Sequence, residues 1–135
     1  MGVKTMAETS VLTESILNTV KHMLGVEPTY THFDNDIIAD INGAINVLSQ
    51  LGVVREGYFI EGASETFQDM LGNDLPKAML IKPYLYHKVK LMFDPPLSGS
   101  VSGIIEKQIA EEEWRLRIQL DTSGEETTDG VDDSE

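Results

Sequence analysis

Residues 77–120 read KAMLIKPYLYHKVKLMFDPPLSGSVSGIIEKQIAEEEWRLRIQL, and this stretch decides the fold. Apolar residues recur at three- and four-residue spacing on both sides of the breaker Asp94-Pro95-Pro96. Such spacing is typical of amphipathic helices, and a residue before proline disfavours the helical conformation. The stretch therefore predicts a hairpin of two long helices, which end near residues 93 and 120. Pro83 predicts a kink in the first helix, or a start near residue 82.

The second helix of the hairpin carries apolar residues in two directions. One line predicts the face that packs on the first helix, and it contains Ile105, Ile109, Leu116 and Leu120. Ile104, Trp114 and Ile118 lie to one side of that line. Two interpretations of Trp114 stay open, because it suits either the anchor of a subunit interface or a core position against the first helix.

The chain before the hairpin predicts three shorter helices. Apolar spacing indicates helices at about 12–24 and 35–51, with Asp34 as the N-cap of the second. Gly43 inside that second helix predicts a close helix crossing, since glycine there is otherwise unfavourable. Ser64 is the predicted cap of a third, short helix, and residues 53–62 are compatible with a short strand or hairpin.

These elements predict an all-α fold, a small bundle of about four to five helices with a long C-terminal helical hairpin. We expect a flexible leader at residues 1–10, a helical domain at 11–120 and an acidic disordered tail at 121–135.

Charge and composition narrow the function classes. The net charge is −13, and seven acids with no base follow Leu120, which leaves 16 acids and 10 bases in residues 1–120. This acidic body lacks the basic stripe of a nucleic-acid reader. Cysteine is absent, and no apolar run approaches the roughly 20 residues that span a bilayer. We therefore expect no disulfide, no zinc-thiolate site and no membrane segment.

We find no pattern that predicts catalysis or a cofactor. The chain contains neither a glycine-rich phosphate loop nor a serine-nucleophile motif. His32 with Asp34 and Asp36 has the right atoms for a metal site, but helix capping and the helix dipole account for both aspartates. We therefore predict no enzyme activity and name no catalytic, cofactor-binding or metal-binding residue.

Several phrases in order resemble a known family. They are SILNTVKHMLG at 15–25, YTHFDNDII at 30–38, LSQLG at 48–52, YHKVKLMFDPP at 86–96 and EWRL at 113–116. Together they resemble the head–tail connector (adaptor, or head completion) proteins of tailed bacteriophages, over about residues 12–120. Residues 2–10 and the segment after Leu120 go beyond the shared pattern.

The resemblance implies a structural role. Such adaptors are helical-bundle subunits of a twelve-fold ring that docks below the portal, extends the DNA channel and carries the next neck or tail protein. The expected location is the virion neck, after synthesis in the bacterial host cytoplasm. DNA would pass through the channel without sequence-specific binding, and no cofactor is implied.

A closed ring needs two different complementary patches on each subunit. The hairpin carries lysines on its first helix and glutamates on its second, so we expect these to meet between neighbours. The candidate residues for the subunit or portal interface are Lys88, Lys90, Glu111, Glu112, Glu113, Trp114, Arg115 and Arg117. Two alternatives remain: a prophage-encoded helical module for partner binding or regulation, and a neighbouring neck role as a stopper or tail-completion protein.

Overall fold

The computed structural model describes residues 11–133, with side chains for residues 11–120. It contains a helical turn at 11–13 and five longer helices: α1 (Ile16–Leu24), α2 (Asp34–Gln50), α3 (Phe67–Leu71), α4 (Leu75–Phe93) and α5 (Gly99–Asp133). No strand occurs in this part of the chain. The prediction of an all-α bundle with a C-terminal hairpin is confirmed. The predicted leader at 1–10 lies outside the described residues.

Helix α4 is the centre of the bundle, because α1, α2, α3 and α5 all pack against it. Its buried side chains are Ala78, Ile81, Tyr84, Leu85 and Val89. They join one apolar core with the inward residues of the other helices, which include Ile16, Leu17, Ile37, Ile41, Ile45, Leu48, Phe67, Ile109 and Leu116. The helix runs without interruption through Pro83, so a start near residue 82 is wrong.

Local capping sets where the helices begin. The Ser15 hydroxyl accepts from the Asn18 amide at 3.1 Å, and Asp74, the N-cap of α4, accepts from the Lys77 amide at 3.1 Å. Helix α3 is capped by Thr66 in a reciprocal capping box with Asp69, and not by Ser64. Asp34 is the first residue of α2, and not its N-cap.

Residues 53–62 form no strand, so that prediction is wrong. The backbone at Ile60 pairs with a side chain instead: its amide donates to Asn42 Oδ1 at 2.9 Å, and its carbonyl accepts from Asn42 Nδ2 at 3.0 Å. Val53, Val54 and Ile60 are buried in the core. One asparagine on α2 therefore satisfies the backbone groups that a second strand would otherwise pair.

Two further predictions about helices are wrong. Gly43 is exposed, and a Cβ atom built there meets nothing within 4 Å, so no helix of the described part of the chain crosses closely at this position. The backbone of α5 continues past Leu120 as far as Asp133. No proline follows Leu120, so nothing stereochemical stops the helix there. Side chains after Leu120 lie outside the described residues, and a separate acidic tail at 121–135 stays a prediction.

Candidate subunit interface

Two polar contacts fix the register of α4 against α5. The Tyr84 hydroxyl donates to Glu113 Oε2 at 2.9 Å, and His87 Nδ1 lies 2.9 Å from Glu112 Oε2. Both contacts join residues more than 20 positions apart, so they set how the two arms of the hairpin align. Glu112 and Glu113 were candidates for a contact between subunits, and in the structure both carboxylates contact α4 of the same chain.

Tyr84 acts as the donor in this seam. Burial raises the pKa of the Tyr84 hydroxyl first, and the hydrogen bond to Glu113 and the charges of Glu113 and Glu112 raise it further. The phenol therefore stays protonated at neutral pH and donates to a carboxylate, a pairing that is stronger than a neutral hydrogen bond. The inner face of the hairpin is thus closed by its own polar groups as well as by Ile109 and Leu116.

The opposite side of α5 remains open. Ile104, Trp114 and Ile118 are 58%, 60% and 42% exposed. They follow one another at 10 and 4 residues, which places them on one side of a helix. We call these three residues the outer stripe. The exposure of Trp114 excludes its interpretation as a core residue packed against α4 and leaves the interface interpretation.

Charged residues flank the outer stripe and the neighbouring helix. Arg115 lies 3.6 Å from Glu111 in an exposed ion pair, and Lys90 lies 2.8 Å from Asp94. Arg117 and Lys88 have no ionic partner among residues 11–120. The structure therefore divides the predicted interface residues into two groups. Glu112 and Glu113 contact α4 within the chain, whereas the other six lie on or beside exposed surfaces. Their contact with a neighbouring subunit stays a prediction.

A groove at the tip of the hairpin was missed by sequence reasoning. It is an open groove of about 690 Å³ where the start of α2 meets the end of α4, and it is lined by Phe33, Asp36, Ala39, Asp40, Met92, Phe93 and Asp94. The Phe33 and Phe93 rings meet edge to face with centroids 5.3 Å apart. We call this the tip groove. No local pattern predicts it, because its walls come from segments about 55 residues apart.

Sequence reasoning also missed a buried ion pair. Lys21 is completely buried, and its ammonium lies 2.7 Å from Asp34 Oδ1. It also donates to the carbonyls of Pro28 and Tyr30 at 3.0 and 2.8 Å. A signal was present, since Lys21 lies four residues after buried Leu17 on the apolar side of α1. The pair holds the segment between α1 and α2 in place, and Phe33 in the wall of the tip groove belongs to this segment.

No metal site forms in the part of the chain with described side chains. Asp34 pairs with Lys21, and the His32 ring contacts the rings of Tyr30 and Phe33 at centroid distances of 6.1 and 4.8 Å. Two of the three side chains considered for a metal, those of His32 and Asp34, therefore take part in other contacts. Within the same part of the chain, no helix combines the length and apolarity that crossing a membrane requires.

Comparison with protein families agrees with the geometry. The family model described as phage connector protein matches residues 16–123, most of the chain and all of the bundle up to α5. The chain belongs to this phage connector family. Comparison with curated proteins and with solved structures gives no significant match. Membership in the connector family implies a structural role in a phage complex of head and tail components, located at the virion neck.

Proposed function

We propose that this connector-family chain is the repeating subunit of an adaptor ring that docks below the portal. The ring, of twelve copies, would extend the DNA channel and hold the next neck or tail protein. The observation that carries the proposal is the outer stripe, a row of large apolar side chains on a helix whose other side is already packed. A face of this kind is typical of a protein-binding surface.

The hairpin has the mechanical properties that such a part needs. Its inner face is buried and is held by the Tyr84–Glu113 and His87–Glu112 contacts. The outer stripe therefore lies on a rigid support. Rigid elements lose little conformational entropy on association. The acidic body supports the passive role toward DNA, because negative surfaces repel phosphates and allow passage without tight binding.

Imaging of the assembled neck tests the proposal. We expect a ring of this chain directly below the portal in wild-type particles. A position farther from the portal would indicate a stopper or tail-completion role, and absence of the chain from particles would support a regulatory module. Either result would contradict the adaptor function. Isolated protein is the weaker sample, because subunits that associate only on docking are monomers beforehand.

A single substitution tests the part played by the outer stripe. We expect Trp114→Ala to weaken incorporation into portal-bound rings by at least about tenfold, the scale of a buried aromatic anchor. Met79→Ala is the matched control, since Met79 is 55% exposed on α4, outside the stripe. Normal ring incorporation of the Trp114 variant would remove the stripe from the interface.

A further inference from the structure

The tip groove has the form of a docking site with an open apolar floor. Met92 is 51% exposed, and Phe33 is 36% exposed although its ring packs edge to face on Phe93 at this end of the core. Ala39 leaves room between them, because its side chain is a single methyl group. A bound side chain of aromatic or branched apolar type would cover this floor.

The rim of the tip groove is acidic. Asp94 is paired with Lys90 at 2.8 Å, but Asp36 and Asp40 have no cationic partner among residues 11–120. Burial raises the pKa of Asp40, and the charge of Asp36 raises it further. Two carboxylates without a counter-charge favour an occupant that brings basic groups with its apolar side chain.

The end of the outer stripe has this chemistry. One turn of α5 presents Trp114 and Ile118, and it carries Arg115 and Arg117 beside them. Arg117 is exposed and has no ionic partner among residues 11–120. Arg115 shares an exposed pair with Glu111, in which the nearest atoms are 3.6 Å apart. Exposed pairs of this kind are weak, so Arg115 can exchange its partner at low cost.

This turn cannot reach the groove of its own chain. The Tyr84–Glu113 contact places Trp114 close to the level of Tyr84, whereas the groove lies at Met92–Asp94. Eight residues of helix separate Tyr84 from Met92, a rise of about 12 Å. The occupant must therefore come from a second copy.

We propose that the tip groove of one subunit receives the Trp114–Ile118 turn of the next subunit. Apolar side chains of the turn cover Phe33, Ala39 and Met92, and its arginines pair with Asp36 and Asp40. The two patches differ and lie at different heights on the hairpin, so the contact is heterologous and propagates in one direction around a ring. This inference rests on the proposed ring function and specifies the contact between its subunits.

Engineered cysteines test the contact, because the natural chain has none. We expect the double variant Ala39→Cys/Ile118→Cys to form disulfides between copies in assembled necks. Both cysteines lie on every chain, so a head-to-tail contact yields a ladder of covalent multimers, whereas a two-fold contact through either patch stops at dimers. The single variants and the pair Glu56→Cys/Ile118→Cys are controls in which no ladder is expected, since Glu56 lies outside the groove.

Charge exchange gives a second measurement without cysteines. Asp36→Arg/Asp40→Arg and Arg115→Asp/Arg117→Asp should each weaken ring incorporation by at least about tenfold, through like charges across the contact. The chain that carries all four changes should recover most of the loss. A mixture of the two defective chains should also recover incorporation, because each basic turn meets an acidic groove and each acidic turn meets a basic groove, so the two chains alternate around the ring.

The outcomes separate this inference from the proposed function. Wild-type rings below the portal, combined with no multimer ladder and no recovery by charge exchange, overturn the groove contact and leave the adaptor function standing. Absence of the wild-type chain from the neck overturns both. A multimer ladder with recovery in the four-fold variant establishes the contact.

Discussion

The two sides of α5 carry similar residue types, but the inner side packs against α4 and the outer side is exposed. The inner side carries Ile109 and Leu116 buried against α4, and its carboxylates Glu112 and Glu113 are paired with α4. The outer side carries Ile104, Trp114 and Ile118 with large exposed fractions. An isoleucine or a glutamate therefore has no fixed role on this helix. Its role depends on whether the same chain supplies its partner, and the outer side has none among residues 11–120.

The largest expected effect is on stability, and it distinguishes the buried inner side of α5 from its exposed outer side. Leu116→Ala removes a buried side chain and should lower the free energy of unfolding by about 2–4 kcal/mol. Ile118→Ala, two residues on, should change it by less than about 1 kcal/mol, because Ile118 is 42% exposed and its removal leaves no internal cavity. Urea unfolding of the isolated chain measures both. Equal losses of unfolding free energy in the two variants would mean that Ile118 contributes to the core as Leu116 does.

The second effect concerns the polar seam of the inner side. Tyr84→Phe leaves the Glu113 carboxylate without its donor, and we expect a loss of about 1–2 kcal/mol in the free energy of unfolding. Glu113→Gln is the matched control, since its carbonyl oxygen still accepts the hydrogen bond, and it should lose less. The same urea experiment applies. A Tyr84→Phe variant as stable as wild type would show that the seam aligns the helices without stabilising them.

Much of this inner side could be predicted from the sequence, and the seam could not. The line Ile105, Ile109 and Leu116 follows from helical periodicity alone, whereas Leu120 at its end is 40% exposed. The partners of Glu112 and Glu113 depend on how α4 and α5 align, which periodicity does not define. Acidic residues are normally exposed, so a contact with a neighbouring subunit was expected for them and a contact within the chain was not.

The tip groove escaped prediction for the same reason. Phe33 and Phe93 were each recognisable as apolar residues at helix boundaries, but their contact requires the packing of α2 on α4. Lys21 shows the opposite case, because a lysine on the apolar side of a short helix is a signal that the sequence does contain. Family resemblance, in contrast, was readable because it depends on the order of phrases and not on tertiary contacts.

Alkaline pH affects the inner side of α5, because the Tyr84 hydroxyl contacts Glu113 there. The pKa of Tyr84 is raised in the folded chain by burial, by the hydrogen bond to Glu113 and by the nearby carboxylates. A raised folded pKa means that the unfolded chain releases the proton first, so stability is fully present below about pH 10 and falls above it. Above that pH, one such group lowers the free energy of unfolding by up to about 1.4 kcal/mol per pH unit.

Unfolding of wild type and Tyr84→Phe at pH 9, 10 and 11 measures this dependence. The variant should lose less stability across that range, because one titrating group is gone. It should not become independent of pH, since burial and then the charges of Asp69 and Glu65 also raise the pKa of Tyr58, against a smaller opposing effect of Arg55. Parallel losses in the two proteins would show that the Tyr84 proton is not linked to folding.

The smallest expected effect on stability is at the exposed Arg115–Glu111 pair of the outer side. Arg115→Gln should change the free energy of unfolding by less than about 0.5 kcal/mol, because solvent screens a pair in which both side chains are more than half exposed. The same variant should weaken ring incorporation, since the arginine would then be missing from the contact with the next subunit. Lys107→Gln is the matched control for loss of a positive charge from α5. A small effect on folding together with a clear effect on assembly would distinguish residues of the outer side from those of the inner side. An Arg115 variant that assembles like wild type would limit the contact to its apolar residues.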